Sequence, residues 1–282
     1  MEHLRIAALH DISGFGRGSM TTAIGVCAAM GIQCCPVVGA VLSAHTAYAG
    51  VTIRDLTEDL PAYVGNWRAI GCDFDALYSG YMSRIEQSRQ VLYLREHCAR
   101  PGCLLLVDPV MGDNGKAYAG AFGAEFAAGM RDYCAHADVI TPNLTEAAML
   151  LGDAPDDWRE SGDFVSGYLH KLRQTGCRNV VITGVHDGQG GIGAAYLTEA
   201  GRQGWVMRPQ VDAYFPGTGD LFATVLLGNL LRSRQLEQAV EQAVDFVYRC
   251  VDYTHRAGTN PVDGVLLEEI LAQGLCSGGL AR

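Results

Sequence analysis

Hydrophobic and polar positions follow two patterns along this chain. Short continuous apolar runs, typical of strands buried on both faces, alternate with longer segments of helical composition. The first pattern predicts strands over Ile6–Leu9, Pro36–Leu42, Ala76–Ser79, Cys103–Val107, Asp138–Thr141 and Asn179–Thr183, then an edge hairpin of Gly193–Thr198 and Gly204–Arg208. The second predicts helices over Ser19–Met30, Leu56–Ile70, Ile85–Ala99, Ala121–His136, Thr145–Leu151, Phe164–Gln174, Leu221–Arg232, Leu236–Tyr253 and Leu266–Leu271.

This alternation predicts an α/β fold, a three-layer αβα sandwich with a mostly parallel central sheet. No linker, repeat or low-complexity tract interrupts the chain, so we expect a single domain over residues 1–282. Ligands of open parallel sheets bind beyond the carboxyl ends of the strands. The polar and glycine-rich residues that follow each predicted strand are therefore the candidates for a functional site.

Composition narrows the class of protein. Apolar residues make up 49% and charged residues 18%, which excludes a disordered chain. The net charge of −10 argues against a nucleic-acid or membrane-surface partner, since both need basic surface. No apolar run is long enough to span a membrane, and the N-terminus resembles a first strand, not a signal peptide. The ten scattered cysteines lack C-x-x-C spacing and indicate reduced thiols in a cytoplasmic protein, not a zinc site.

Two common nucleotide-binding loops are missing from the sequence. The first loop has its glycines in G-x-G-x-G spacing, and no Asp or Glu lies between Asp11 and Asp55. A dinucleotide site needs G-x-G-x-x-G and an acidic residue about 20 positions later. The Gly115-Lys116 pair is followed by Ala117 and does not form a Walker A loop. If the protein binds a nucleotide, it does so without a dinucleotide-binding glycine loop or a Walker A loop.

The best candidate for such a site is the segment Phe215-Pro-Gly-Thr-Gly-Asp-Leu-Phe-Ala223. Pro216 and Gly217 predict a turn, and a long apolar helix begins at or near Asp220. Glycines in this turn would let successive N–H groups point into one space at the positive end of the helix, which suits phosphate. The alternative is structural, because Asp is also a favoured N-cap residue.

Two other motifs follow predicted strands. In Asn143-Leu-Thr-Glu146, Asn143 could contact phosphate and Glu146 could hold a water of Mg²⁺, or the two could form a capping box. In Asp108-Pro-Val-Met-Gly-Asp113, two carboxylates at a strand end could position Mg²⁺, or could be solvated turn residues. Each motif alone leaves both interpretations open.

Together, Asp108–Asp113, Thr141–Glu146 and Gly217–Asp220 resemble the ribokinase-like superfamily. Ser43-Ala-His-Thr46 and Ser79-Gly-Tyr81 are similar to the corresponding motifs of the pyridoxal (pyridoxine, pyridoxamine) kinases. The resemblance implies a kinase that uses ATP with Mg²⁺ to phosphorylate the 5'-hydroxymethyl group of a vitamin B6 vitamer. It also implies a homodimer, and it leaves a requirement for a monovalent cation such as K⁺ open.

The resemblance assigns roles residue by residue. Asp220 would be the general base, with the anion hole formed by Gly217, Thr218 and Gly219. Asp108 and Glu146 would hold the metal. The residues on the nucleotide side would be Asn143, Thr141, Thr183, Tyr118 and Asp113. Those on the substrate side would be His10, Ser13, His45, Thr46 and Tyr81.

The first loop departs from the pyridoxal kinase pattern. His10 occupies the place where these kinases commonly have a Ser that bonds the ring, so we expect His10 to face the substrate. The stretch Asp11-Ile-Ser-Gly14 resembles hydroxymethylpyrimidine kinases instead. Those enzymes usually carry Gln before the Asn-Thr of the second loop, where this chain has Ala44-His45-Thr46.

Three alternatives accompany the vitamin B6 kinase hypothesis. One is a hydroxymethylpyrimidine (phosphate) kinase of thiamine synthesis, and another is a different ribokinase-like kinase. A sugar substrate is disfavoured because no extra strands are predicted between Met30 and Ile70, where sugar kinases have a large β-lid. The third is a catalytically inactive sensor that only binds its ligand, against which stands the intact set of Asp220, Glu146 and Asn143.

Overall fold

The computed structural model describes residues 3–118, 122–232 and 235–276. The strands are β1 (Arg5–Ser13), β2 (Gln33–Leu42), β3 (Ile53–Asp55), β4 (Phe74–Ser79), β5 (Ala99–Val107), β6 (Gly112–Asp113), β7 (Lys116–Ala117), β8 (Val139–Ile140), β9 (Asn179–His186), β10 (Gly191–Leu197) and β11 (Gln203–Pro209). The helices are α1 (Ser19–Ala29), α2 (Leu60–Ala69), α3 (Ser88–Cys98), α4 (Ala124–Cys134), α5 (Leu144–Leu151), α6 (Gly162–Gln174), α7 (Thr218–Leu230), α8 (Leu236–Ala257) and α9 (Leu267–Cys276).

One nine-stranded sheet has the order β11-β10-β9-β8-β5-β4-β1-β2-β3. The pairs from β9 through β2 are parallel, and antiparallel strands lie at both edges. The chain runs outward from β1 to β2 and then returns to place β4 on the other side of β1. The order of strands therefore reverses between β1 and β4, which is the switch point where open α/β sheets bind ligands.

Helices cover both faces of this sheet. One buried apolar cluster joins the sheet to α2, α3, α4, α5 and α6, and includes Val64, Leu94 and Leu169. The other joins it to α1, α7, α8 and α9, and includes Met20 and Leu226. The predicted αβα sandwich is confirmed. Within the described residues, no helix has the length and hydropathy to cross a bilayer. That residues 1–282 form one domain stays a prediction.

Several details of the prediction were wrong. The helix predicted over Leu56–Ile70 begins at Leu60, and Pro61 occupies the first turn of α2, where its missing N–H is not needed. A short strand, β3, pairs antiparallel with β2 in the region where no extra strand was expected. α7 begins at Thr218 and not at Leu221. The predicted helix start at Ala121 lies outside the described residues.

Candidate active site

A cavity of about 710 Å³ lies at the carboxyl ends of the parallel strands. This volume is within the usual range for small-molecule sites. Every site residue expected from the sequence lines it except His10. The lining includes Ser13, His45, Thr46, Tyr81, Asp108, Asp113, Tyr118, Thr141, Asn143, Glu146, Thr183, Gly217, Thr218, Gly219 and Asp220.

The N-terminus of α7 opens into this cavity. Gly217 has φ of 82° and precedes the first turn of the helix, which has no side-chain cap among the described residues. A Cβ at Gly217 would lie 2.5 Å from the carbonyl oxygen of Arg17, so only glycine fits this approach. The N–H groups of the first turn are consequently available to an anion.

The Asp220 carboxyl group does not cap its own helix. Its Oδ2 accepts a hydrogen bond of 2.7 Å from the N–H of Ser19, the first residue of α1. The simple N-cap interpretation of Asp220 is therefore wrong, and its carboxyl group joins the starts of two helices.

Two carboxyl groups of the cavity have raised pKa values. Burial, with a smaller contribution from the charge of Asp11, raises the pKa of Asp220 to about 7, although the hydrogen bond from Ser19 opposes the rise. Burial raises the pKa of Asp108 to about 8, with a further contribution from Asp220. A carboxyl group that titrates near pH 7 is suited to accept a proton from an alcohol at neutral pH.

Asn143 and Glu146 form the capping box that the sequence left as an alternative. The N–H of Glu146 donates to Asn143 Oδ1, and the N–H of Asn143 donates to Glu146 Oε2, both at 2.9 Å. Glu146 Oε1 accepts a third bond from the N–H of Met111. Both side chains nevertheless line the cavity, so capping holds them in place at its wall.

The acidic side chains of Asp108 and Glu146, which line the cavity, fit a hydrated divalent cation. Thr141 Oγ1 donates to Asp108 Oδ1 at 3.1 Å, and Glu146 lies nearby, its pKa raised by burial and by the charge of Asp108. No three His, Cys, Asp or Glu side chains within the described ranges converge as a complete protein-only ligand set. Mg²⁺ commonly takes one or two carboxylates together with waters and phosphate oxygens. A cation here would relieve the repulsion between these buried acids.

A short hairpin of β6 and β7 borders the side of the cavity where the resemblance places the nucleotide. The Asp113 carboxylate accepts a hydrogen bond of 2.8 Å from the hydroxyl of Tyr214, which precedes α7. The amide of Asn143 donates to the carbonyl of Gly112 at 2.9 Å. Thr183 on β9 forms an isolated bridge with Asn143, and Tyr118 follows β7. These contacts connect the hairpin to the start of α5 and to the segment that precedes α7.

The side of the cavity formed by the first and second loops contains a buried acid that sequence reasoning did not select. Asp11 is 3% exposed, lines the cavity and accepts a hydrogen bond of 2.9 Å from Ser13 Oγ. Burial raises its pKa. The only signal for it was the Asp-x-Ser-Gly stretch. Arg17 and Arg208 also line the cavity, and no motif pointed to either.

A distant segment contacts the loops on this side of the cavity. His45 Nε2 lies 2.6 Å from the carbonyl oxygen of Val262, and the N–H of Arg17 donates to the carbonyl of Asp263 at 3.2 Å. The Tyr48 hydroxyl donates to the Asp263 carboxylate. The turn at Pro261–Asp263 therefore connects the first and second loops.

His10 does not face the cavity, contrary to the expectation from the sequence. Its side chain is fully buried and packs edge-on against the ring of Tyr78, with a centroid distance of 4.4 Å. β1 continues to Ser13, and its pairing with β2 shifts register between His10 and Asp11. In this register Asp11 and Ser13 line the cavity and His10 lies behind its wall.

Comparison with known proteins agrees with this geometry. The phosphomethylpyrimidine kinase family model matches residues 24–263. A pyridoxal kinase of Rubrobacter xylanophilus is 28% identical, over 95% of this chain and 93% of its own. The crystal structure of a putative phosphomethylpyrimidine kinase from Bacteroides thetaiotaomicron with pyridoxal is 35% identical (TM-score 0.88, 96% of both chains). That of pyridoxal kinase from Lactobacillus plantarum is 30% identical (TM-score 0.87, 98% of both chains).

A mostly parallel sheet whose cavity contains an open helix N-terminus and a buried Asp defines a ribokinase-like kinase. The chain belongs to the phosphomethylpyrimidine kinase family. The resemblance to pyridoxal kinases inferred from the sequence motifs is confirmed.

The raised pKa of Asp108 predicts a pH-dependent gain in stability for Asp108→Asn. Because the pKa of Asp108 is raised in the folded protein, ionisation of this carboxyl group lowers the free energy of unfolding. The loss is absent below the unfolded-state pKa near 4 and reaches its full size above about pH 8. We expect the variant to raise the Tm of the ligand-free protein at pH 8.5 and to change it little at pH 5. Thermal unfolding across this range measures the difference.

Asp187→Asn is the matched control, because backbone hydrogen bonds lower the pKa of this exposed carboxylate. Asp187→Asn should lower the Tm at neutral pH, whereas Asp108→Asn should raise it. An Asp108→Asn gain that is equal at all pH values would contradict the prediction.

The close approach at Gly217 predicts that Gly217→Ala will impair nucleotide binding and turnover. The new Cβ would displace either Arg17 or the start of α7. Gly71→Ala is the control, since its φ of 75° carries similar backbone strain but nothing lies within 4 Å of the added Cβ. Gly71→Ala should lose about 1–2 kcal/mol of stability from backbone strain alone. Gly217→Ala should lose at least as much because of the added clash, and only Gly217→Ala should lose turnover. Equal turnover in Gly217→Ala and Gly71→Ala would contradict this explanation.

Proposed function

We propose that this protein transfers the γ-phosphoryl group of ATP to the 5'-hydroxymethyl group of a vitamin B6 vitamer. The observation that carries the proposal is the Asp220 carboxyl group, which is 13% exposed and lies at the mouth of an uncapped helix inside the main cavity. The names of the relatives support the substrate class, and one structural neighbour was crystallised with pyridoxal.

In the proposed mechanism, Asp220 accepts the proton of the vitamer hydroxyl as its oxygen forms a bond to the γ-phosphorus. The bond from phosphorus to the bridging oxygen breaks, and ADP leaves. N–H groups at Gly217, Thr218 and Gly219 stabilise negative charge on the transferred group. Phosphoryl transfer depends mainly on such positioning and charge stabilisation, so no Walker A loop is required.

Asp108 and Glu146 would hold Mg²⁺ through its waters, and the cation would neutralise phosphate charge. Asn143, Thr141 and Thr183 would approach the phosphates, with Asp113 and Tyr118 closing over the nucleotide. Ser13, His45, Thr46 and Tyr81 would surround the ring. Homodimeric assembly, a cytoplasmic location and use of K⁺ remain expectations from the sequence and the resemblance.

The alternatives are less well supported. Hydroxymethylpyrimidine phosphorylation agrees with the family name and with Asp11, but His45 and Thr46 favour a pyridine ring. An inactive sensor has no need of a base whose pKa lies near 7 beside an open anion site.

We expect Asp220→Asn to lower kcat by about 10²–10⁴-fold, because the amide cannot accept the hydroxyl proton. Nucleotide binding should persist, since the backbone of α7 is unchanged. The measurement is coupled ADP release with pyridoxal, pyridoxine, pyridoxamine and hydroxymethylpyrimidine in parallel, together with nucleotide titration. Asp212→Asn, an exposed carboxylate preceding the same helix, should retain the wild-type rate.

Three outcomes would refute parts of this proposal. Wild-type kcat in Asp220→Asn would remove Asp220 as the base. Faster turnover of hydroxymethylpyrimidine than of any vitamer would favour the alternative kinase. Vitamer binding without turnover would favour the sensor.

The pKa of Asp220 also predicts the acidic limb of the activity profile. The base works only as a carboxylate, so kcat/KM for the vitamer, which reports ionisations of the free enzyme, should fall as pH decreases through about 7. A kcat/KM that is constant from pH 8 to pH 5 would contradict this assignment.

A further inference from the structure

Behind the cavity wall, three buried polar atoms lack hydrogen-bond partners among the described residues. They are both ring nitrogens of His10 and the hydroxyl of Tyr78. The two side chains lie on β1 and β4, the strands that border the switch point. His10 Nδ1 is 3.7 Å from Asp220 Oδ1, slightly beyond hydrogen-bond distance.

Such a group of unpaired atoms is unusual in a protein interior. At least nine-tenths of buried polar groups have a hydrogen-bond partner, and an unsatisfied one is destabilising. An apolar side chain of similar size would fill the space beside Tyr78 without this cost. The polar ring of His10 is therefore better explained by its neighbour Asp220 than by packing.

Gly80 makes room for the edge of the imidazole that carries Nδ1. A Cβ at Gly80 would lie 2.1 Å from Cε1 and 2.5 Å from Nδ1 of His10. Because burial lowers the pKa of His10 to about 3, the ring is neutral at physiological pH and carries one N–H. Asp220 on α7 lies 3.7 Å from Nδ1, and Tyr78 on β4 packs against the ring. The charges of Asp220 and Asp108 both act on the Tyr78 hydroxyl.

We propose that His10 is a positioning residue whose Nδ1–H donates to Asp220 Oδ1 and fixes the carboxylate in its catalytic orientation. The N–H of Ser19 already holds Oδ2, so a donor on each oxygen would fix the plane of the group. The hydrogen bond requires the distance between Nδ1 and Oδ1 to shorten from 3.7 Å to about 3 Å. The inference rests on the proposed function, because it takes Asp220 as the base.

His10 acts through Asp220 and not on the substrate. Its fully buried ring lies outside the cavity lining, so it contacts neither the vitamer nor the nucleotide. Loss of the donor should therefore lower kcat and leave the KM for both substrates almost unchanged. A misplaced catalytic group can lower a rate by about 100-fold.

Three substitutions test the inference. In His10→Asn, the amide nitrogen can occupy the place of Nδ1. In His10→Gln, the amide extends to the place of Nε2, and His10→Leu has no donor. We expect His10→Leu and His10→Gln to lower kcat by about 10–100-fold with KM within about 2-fold of wild type, and His10→Asn to restore most of the loss.

The Tm of each variant is measured in parallel, because a packing role would lower stability without selective rescue. Wild-type kcat in His10→Leu would overturn the proposal. So would equal losses of kcat in all three variants.

An NMR measurement separates failure of this inference from failure of the proposed function. The ring of His10, labelled with ¹⁵N, should show the Nδ1–H tautomer in the wild-type protein and a shifted Nδ1 resonance in Asp220→Asn. This readout needs no turnover. If no vitamer is phosphorylated, the proposed function fails, and the NMR result still decides whether His10 contacts Asp220. An Nε2–H tautomer unaffected by Asp220→Asn would overturn the inference.

Discussion

The hydrogen bond from the N–H of Ser19 to the Asp220 carboxylate is the contact on which the site depends. It joins the N-termini of α1 and α7 and leaves the first turn of α7 without a side-chain cap. Ser19 adopts a φ of 48°, a conformation uncommon for a residue other than glycine. Gly217 provides the space that lets the two helix starts approach, since a Cβ there would lie 2.5 Å from the carbonyl oxygen of Arg17. The close packing of the two helices therefore places the Asp220 carboxyl group beside the uncapped start of α7.

The same packing creates an electrostatic conflict. Asp11, Asp108 and Asp220 all line one cavity, and burial raises the pKa of each. Their ionisation costs stability in the absence of a cation, but only their ionised forms can bind a metal or accept a proton. Enzymes commonly retain such locally unfavourable arrangements because activity requires them. The large apolar cores on both faces of the sheet compensate for this cost.

Much of the fold could be predicted from the sequence, because continuous apolar runs identify buried strands without knowledge of their neighbours. β3 could not, since three residues carry no periodicity and are defined by pairing with β2. The cavity residues followed from their positions after strands. His10 was misplaced because a register shift beside Asp11 determines which side chains reach the cavity. Asn143 and Glu146 left two interpretations open, and the structure shows that capping does not remove them from the cavity wall.

The turn at Pro261–Asp263 has a consequence for synthesis of the protein. It contacts His45 and Arg17 across sequence separations of 217 and 246 residues. Local helices and the first parallel strands can form early on the ribosome, whereas contacts between such distant segments form slowly. The side of the cavity formed by the first and second loops therefore remains incomplete until residue 263 has emerged, so ligand binding there cannot assist the folding of a shorter nascent chain.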